Sequence, residues 1–252
     1  MPHSKSLPEH FYDRCFYQRV NEQALKSAHV IVPYLLELLP ISSVVDIGCG
    51  CGAWLAVFQK FGVSKILGLD GPWVSKHALL IPESCSITID LQKPFTLHDR
   101  FDLAICLEVA EHLPKKSSRG FIGSITELAP AVLFSAALPG QEGTLHVNEQ
   151  WPGFWARLFK EHGFFRLDPI RRRVWMNPEV AWYYQQNMFL YVHEELLRQH
   201  QALRYEKELS ENCPLTLIHP KILRPLTSAR HALRLIPRLV FETLMRRLFG
   251  KS

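Results

Sequence analysis

Three glycines, Gly48, Gly50 and Gly52, alternate with cysteines directly after the β-branched run of "SVVDIG", and Asp46 stands just before them. Glycines at this spacing let a backbone turn sharply and come close to a ligand. With Ala53, and with Asp70 about twenty residues on, they satisfy the GxGxxA form of the dinucleotide fingerprint. Asp46 argues differently, because a carboxylate in front of the loop would meet the pyrophosphate of a dinucleotide yet suits a cationic ligand. A tight strand-to-helix turn that binds nothing would need the same glycines.

Two further segments concentrate groups able to move protons. "EVAEHL" carries Glu108, Glu111 and His112, and "LHVNEQW" carries His146, Asn148, Glu149, Gln150 and Trp151. Histidine titrates near neutrality, so His112 and His146 are the candidate bases for an acceptor that must lose a proton. Each could equally order its own loop. A metal held by Glu108, His112 and His146 would have to be assembled across two loops without HxxxH or HxxxE spacing, so no metal is expected. "NPEVAWYYQQN" adds Trp182, Tyr183, Tyr184 and Gln185, rings with polar tips that suit an acceptor pocket or plain packing.

These segments need elements to position them. Residues 14–39 have apolar residues at helical spacing around Pro33, which predicts one or two helices closed by Pro40. "SVVDIG", "KILGLD", "SITID", "FDLAICLEV" and "AVLFSAAL" read as strands, with the third and fourth apolar enough to be covered on both faces. Helices are predicted after the glycine loop, from about Lys116 to Leu128, and over "WPGFWARLFKEHGF". "RLDPIRRRVW" and "NMFLYV" look like the last strands. The alternation predicts an α/β sandwich on a mainly parallel sheet, in which ligands sit beyond the carboxyl ends of the strands.

Acidic residues recur at those ends: Asp70, Asp90, then "LEVAEHL". With the glycine loop in front, "VVDIGCGCG", "LGLDG", "ITIDL" and "FDLAICLEVAEHL" resemble four ordered motifs of the class I S-adenosylmethionine-dependent methyltransferases, and the likeness runs from about Val44 to Val192. "SAALPGQEGTLHVNEQW" is similar to a bacterial small-molecule group within that family. The resemblance implies a Rossmann-like three-layer α/β sandwich with a mainly parallel seven-stranded sheet whose last strand is antiparallel. It implies that Gly48, Gly50 and Gly52 approach the methionine part of the cofactor, that Asp46 orients its ammonium group and that Asp70 accepts the ribose hydroxyls. Asp90 and Leu91 would meet the adenine, and Cys106 to Val109, including Glu108, would pass the sulfonium. Tyr12, Tyr17 or Gln18 would lie over the cofactor. The acceptor side is assigned to Asn148, Glu149, Trp151, Trp182 and Tyr183. Asp102 is read as serving a local turn.

Domain boundaries are expected at an N-terminal helical cap (1–40), a methyltransferase domain (41–195) and a basic helical extension (196–252). The extension carries a net +7 and the rest −2. Arg230, Arg234 and Arg238 lie along a seam of apolar residues interrupted by Pro237, which predicts contact of residues 221–252 with an anionic membrane surface, a partner protein or their own domain. No apolar run reaches signal-peptide or membrane-spanning length, and the six cysteines show no CxxC pair, so a cytoplasmic protein with reduced thiols is expected. The leading function is O-methylation of a small molecule such as a sugar, a lipid-linked glycan or a secondary-metabolite precursor. A nucleic-acid methyltransferase fits less well, because "LEVAEH" stands where base-amino enzymes carry Asn or Asp before Pro-Pro and an aromatic. A catalytically silent cofactor-binding module and a nicotinamide enzyme are the other readings.

Overall fold

The computed structural model describes residues 14–74, 78–141 and 143–223, with side chains from Asn21 to Ile222. A single helix, α1 (Arg14–Leu38), runs through Pro33. The proline removes one backbone donor, but Ala28, Ile31, Val32 and Leu35 on one face are fully buried, and that packing keeps the helix continuous.

The sheet has seven strands in the order β3-β2-β1-β4-β5-β7-β6. They are β1 (Ser43–Ile47), β2 (Lys65–Asp70), β3 (Ser86–Thr88), β4 (Leu103–Leu107), β5 (Ala131–Ser135), β6 (Phe164–Leu167) and β7 (Phe189–His193). The first five pair in parallel, and β7 is antiparallel to both β5 and β6. Helix α2 (Ala53–Lys60) packs against α1 on one face, while α3 (Ser118–Leu128) and α4 (Pro152–Glu161) contact each other on the other. Two apolar cores result: Leu35, Phe58 and Leu133 belong to one, and Val45, Phe121, Phe134 and Phe159 to the other. The sheet switches direction of growth at β1, which lies between β2 and β4, and that is where such sheets leave a crevice.

Two local expectations are corrected. "SITID" shrinks to the edge strand β3, where Ile87 is 41% exposed, so it is not covered on both faces. "RLDPIRRRVW" is strand only through Leu167. It then turns at Asp168–Ile170 into the short helix α5 (Arg171–Val174). Arg171 is buried there because Asp168, three residues back, accepts from its Nε and Nη2 at 3.0 and 2.6 Å. The connection to β7 is the helix α6 (Trp182–Asn187).

After β7 come α7 (Glu194–Gln199) and α8 (Gln201–Glu211), the latter packed on β6. Residues 1–216 form one compact unit and 217–252 another. Of the second, the described part carries a 3-10 turn at Pro220–Leu223. The basic seam from Ser228 onward, and the side chains of Tyr12, Tyr17 and Gln18, lie outside the described residues. Among the described residues no helix is long and apolar enough to cross a membrane, and Cys49, Cys51, Cys85, Cys106 and Cys213 are free thiols.

Candidate active site

A cavity of about 450 Å³ opens at the carboxyl ends of β1 and β4. Its floor is the loop after β1, where Gly48, Gly50 and Gly52 have φ of 80, 53 and 80°, a region that disfavours other residues. A Cβ on Gly48 would stand 2.3 Å from Val109, so the loop fits against the segment after β4 only as glycine. Asp46 and Glu108 line the cavity beside this loop, and Glu111, His112 and His146 line its far side. Asn21 and Gln23 of α1, Trp54 of α2 and the run Trp182, Tyr183, Tyr184 of α6 complete it.

The electrostatics are one-sided. Three carboxylates face the cavity, and no Lys or Arg is among its described lining residues. Burial, then the neighbouring charge of Asp70, pushes the Asp46 carboxyl well above the usual range. Burial also raises Glu108, against hydrogen bonds from Asn187, Ser135 and Gln141. Glu111 is raised well above its usual range by burial and then by Glu108, more than the nearby backbone N–H groups of Glu111 and Ala137 can offset. Its side chain is 0% exposed, and neither oxygen makes a hydrogen bond of ordinary geometry among the described residues. Such a surface repels phosphates and suits a cation.

Hydrogen bonds fix these groups. Asn187 Nδ2 donates to Glu108 and to Gln141 Oε1, and Gln141 Nε2 donates to Glu108 Oε2 at 3.0 Å. Gln186 Nε2 completes this polar set, donating to Gln141 Oε1 at 3.1 Å. Glu108 itself has φ 56°, an uncommon value for a residue with a side chain, and it is held by its N–H donating to the backbone and side-chain oxygens of Ser135. On the far side, His146 Nδ1 lies 2.8 Å from Glu149 Oε1, while Glu149 Oε2 accepts from Gly140 N at 2.7 Å. A carboxylate only accepts, so Nδ1 carries a proton, which in the neutral ring makes Nε2 the acceptor nitrogen. The ring stands edge-on to His112 at 4.9 Å between centroids. Burial first, then His146, lowers the His112 pKa to about 4, and that ring is neutral at neutral pH.

The match to the family model described as "Methyltransferase domain" spans residues 17–177. The chain belongs to this methyltransferase family. Solved structures agree with the fold. DesVI of Streptomyces venezuelae is 14% identical, with 75% of this chain and 99% of that one aligned at a TM-score of 0.53. An O-methyltransferase family protein from Burkholderia thailandensis is 12% identical over 72% of this chain and 60% of its own, TM-score 0.52. Magnesium protoporphyrin IX methyltransferase from Synechocystis PCC 6803, crystallised with S-adenosylmethionine bound, is 17% identical over 76% and 100%, TM-score 0.50. No curated protein is similar enough in sequence to match.

The methyl donor of this methyltransferase is S-adenosylmethionine. The residues present fit it: the donor carries an ammonium and a sulfonium, and the cavity is acid-lined with an open glycine loop as its floor. Asp70 ends β2 beside that loop, its Oδ2 accepting from Gly50 N at 2.7 Å and its Oδ1 from Gly71 N at 2.6 Å. Burial raises its pKa, against those two N–H groups and the indole of Trp73.

The residues singled out from sequence do not all converge. Asp46, Gly48, Gly50, Glu108, His112, His146, Trp182 and Tyr183 line the cavity. Asp90 turns to its own loop, accepting from Gln92 N at 3.1 Å and pairing with Lys93 at 3.1 Å, and Leu91 is buried in an apolar core. Trp151 is 49% exposed at the start of α4. Asn148 is buried and donates to Ala110 O and Ser118 Oγ at 3.2 and 3.1 Å, tying the loop after β5 to the turn after β4. Sequence reasoning passed over Gln141, Gln186 and Asn187 as site residues. The one available signal was the density of amides in "YYQQN" just before a strand.

Proposed function

We propose that this methyltransferase methylates a hydroxyl oxygen of a small molecule, a sugar or a glycan or secondary-metabolite precursor. The observation that supports it is the His146–Glu149 pair, which engages Nδ1 at the cavity wall and so leaves Nε2 as the nitrogen available to an acceptor proton. When bound, the donor supplies a methyl group on a positively charged sulfur that leaves as a neutral thioether. Asp46 and the loop glycines hold its amino-acid end, Asp70 its ribose, with each carboxylate oxygen still able to accept a second bond. The acceptor hydroxyl lies against His146, which takes its proton as the new C–O bond forms, while Glu149 stabilises the resulting imidazolium. Trp182 and Tyr183 give the acceptor an aromatic wall. His112, neutral and poorly basic, serves as a hydrogen-bonding neighbour.

Calorimetry with S-adenosylhomocysteine, followed by transfer of labelled methyl to a panel of hydroxylated and amino acceptors, tests this reading. Binding that falls at least tenfold in Asp70→Ala, with label on oxygen, is the expected result. Label found on nitrogen alone, or no binding by the intact protein, refutes it. For residues 221–252 the arginine spacing supports contact with an anionic membrane, at which a lipid-linked acceptor would be met. Liposome sedimentation unchanged by reversing Arg230, Arg234 and Arg238 to Glu would remove that extension of the proposal.

A further inference from the structure

We propose that Glu111, His112 and His146 form a site for a first-row divalent cation of the zinc type, with Glu149 as the outer partner that orients His146. Sequence spacing gave no hint of it, because the carboxylate that meets the two histidines is Glu111 and not Glu108. One donor atom from each of the three lies within 4.8 Å of the others. A tetrahedral zinc ion at about 2.0 to 2.2 Å from its ligands needs donors roughly 3.4 Å apart, so closure takes side-chain adjustments of about 1 Å.

Three independent observations point to an ion. Glu111 is fully buried, neither of its oxygens makes a hydrogen bond of ordinary geometry among the described residues, and it lines the cavity beside the half-buried carboxylate of Glu108. Asn187 and Gln141 donate to the oxygens of Glu108, whereas the groups next to the Glu111 carboxyl are the backbone N–H groups of Glu111 and Ala137 and the Glu108 carboxyl itself, with no cation among them. A buried carboxylate in that position calls for a proton or a cation. Second, His146 donates its Nδ1 proton to Glu149, the arrangement that fixes the tautomer of metal-binding histidines and raises their basicity. Third, the frame is stiff. Val147 N and Asn148 N donate to the backbone oxygen of Glu111 at 2.9 and 3.0 Å, and Leu145 is held at φ 62° next to His146.

Two imidazoles and one carboxylate leave coordination positions open and favour zinc, cobalt or nickel over magnesium. What the ion does there rests on the methyl-transfer reading above. With the ion present it would bind the acceptor oxygen and ease loss of its proton to solvent, the two imidazoles then being ligands; His146 acts as the base in the metal-free enzyme.

The test uses the full chain, stripped with a chelator and titrated with Zn²⁺ by calorimetry and with Co²⁺ by visible absorption. One equivalent is expected, with cobalt ligand-field bands and no thiolate charge-transfer band. Affinity should fall at least 100-fold in Glu111→Gln and His146→Asn and about 10- to 100-fold in Glu149→Gln. Zn²⁺ should raise the melting temperature of the wild type but not of Glu111→Gln, whose metal-free form should melt no lower than the wild type because a buried charge has been removed. Absence of binding, affinity in Glu111→Gln equal to the wild type, or a thiolate band from the cysteines would each overturn the site. S-adenosylhomocysteine calorimetry on the same preparations separates this failure from failure of the methyltransferase reading.

Discussion

Asn187 Nδ2 reaches both oxygens of Glu108, at 3.0 and 3.3 Å, across a sequence separation of 79 residues. The amide is the polar group from the far end of the chain that keeps this raised carboxyl supplied with a hydrogen bond. Replacing it by Leu leaves the half-buried Glu108 with a weaker set of partners, a loss of about 2 kcal/mol. Thermal melting should show a decrease of about 4 to 8 °C. An unchanged melting temperature would mean the contact carries little weight.

Gly50 and Gly48 should separate binding from folding. A Cβ at Gly50 meets nothing within 4 Å, so Gly50→Ala pays only for its positive φ, about 1 kcal/mol, while a methyl projects into open space over the loop. At Gly48 the Cβ would collide with Val109 at 2.3 Å, and about 3 kcal/mol or more should be lost. Denaturant titration and S-adenosylhomocysteine calorimetry together should find Gly50→Ala near wild-type stability with at least tenfold weaker binding, and Gly48→Ala clearly destabilised.

His146 and Glu149 lie on the acceptor side, so their loss should spare the donor. Glu149→Gln keeps the shape but removes the charge that favours the imidazolium. A fall in kcat of about 10- to 100-fold, with S-adenosylhomocysteine affinity within about twofold of the wild type, is expected. Equal loss of both would place this pair in donor binding instead.

Asp102 sets an acid limit on stability. Burial pushes its carboxyl up, but one oxygen accepts from the backbone and hydroxyl groups of both Ser42 and Ser43 at 2.7 to 2.9 Å, and the net pKa lies below the usual value. A depressed folded pKa contributes stability above the ordinary carboxylate value of about 4 and loses it as pH falls through the lower folded value. Asp102→Asn should cost about 1 kcal/mol at neutral pH, at the low end because the site is partly exposed, and the gap should narrow as pH falls below the ordinary carboxylate value. A gap that holds constant with pH would contradict the assignment.

Much of this was legible because it depends on local chemistry. The glycine loop, the strand-end Asp70 and the apolar strands around them are set by backbone geometry and by burial on two faces, and both leave marks in a short window of sequence. Arg171 shows where that stops. In "RLDPIRRRVW" its charge reads as solvent-facing, yet it is buried because Asp168 neutralises it and the carbonyls of Gln186, Pro214 and Leu215 accept its remaining protons. Those carbonyls come from two distant segments, at Gln186 and at Pro214 and Leu215. Glu111 was visible in "EVAEHL" but its place beside the two histidines was not, for a related reason: that place is set by its surroundings, and Asn148, which resembles an acceptor ligand in sequence, is spent on the turn beneath it.

The strand β7 lies between β5 and β6 although both precede it in the chain. While the polypeptide is being synthesised, β6 therefore has no sheet neighbour, and β5 presents an open apolar edge until residues 189–193 have emerged. Edges of that kind recruit other strands, so a nascent chain halted in this interval is exposed to aggregation. The bond from Asn187 to Glu108 cannot form any earlier, and the parallel core with its glycine loop is available for folding well before the acceptor end of the cavity is complete.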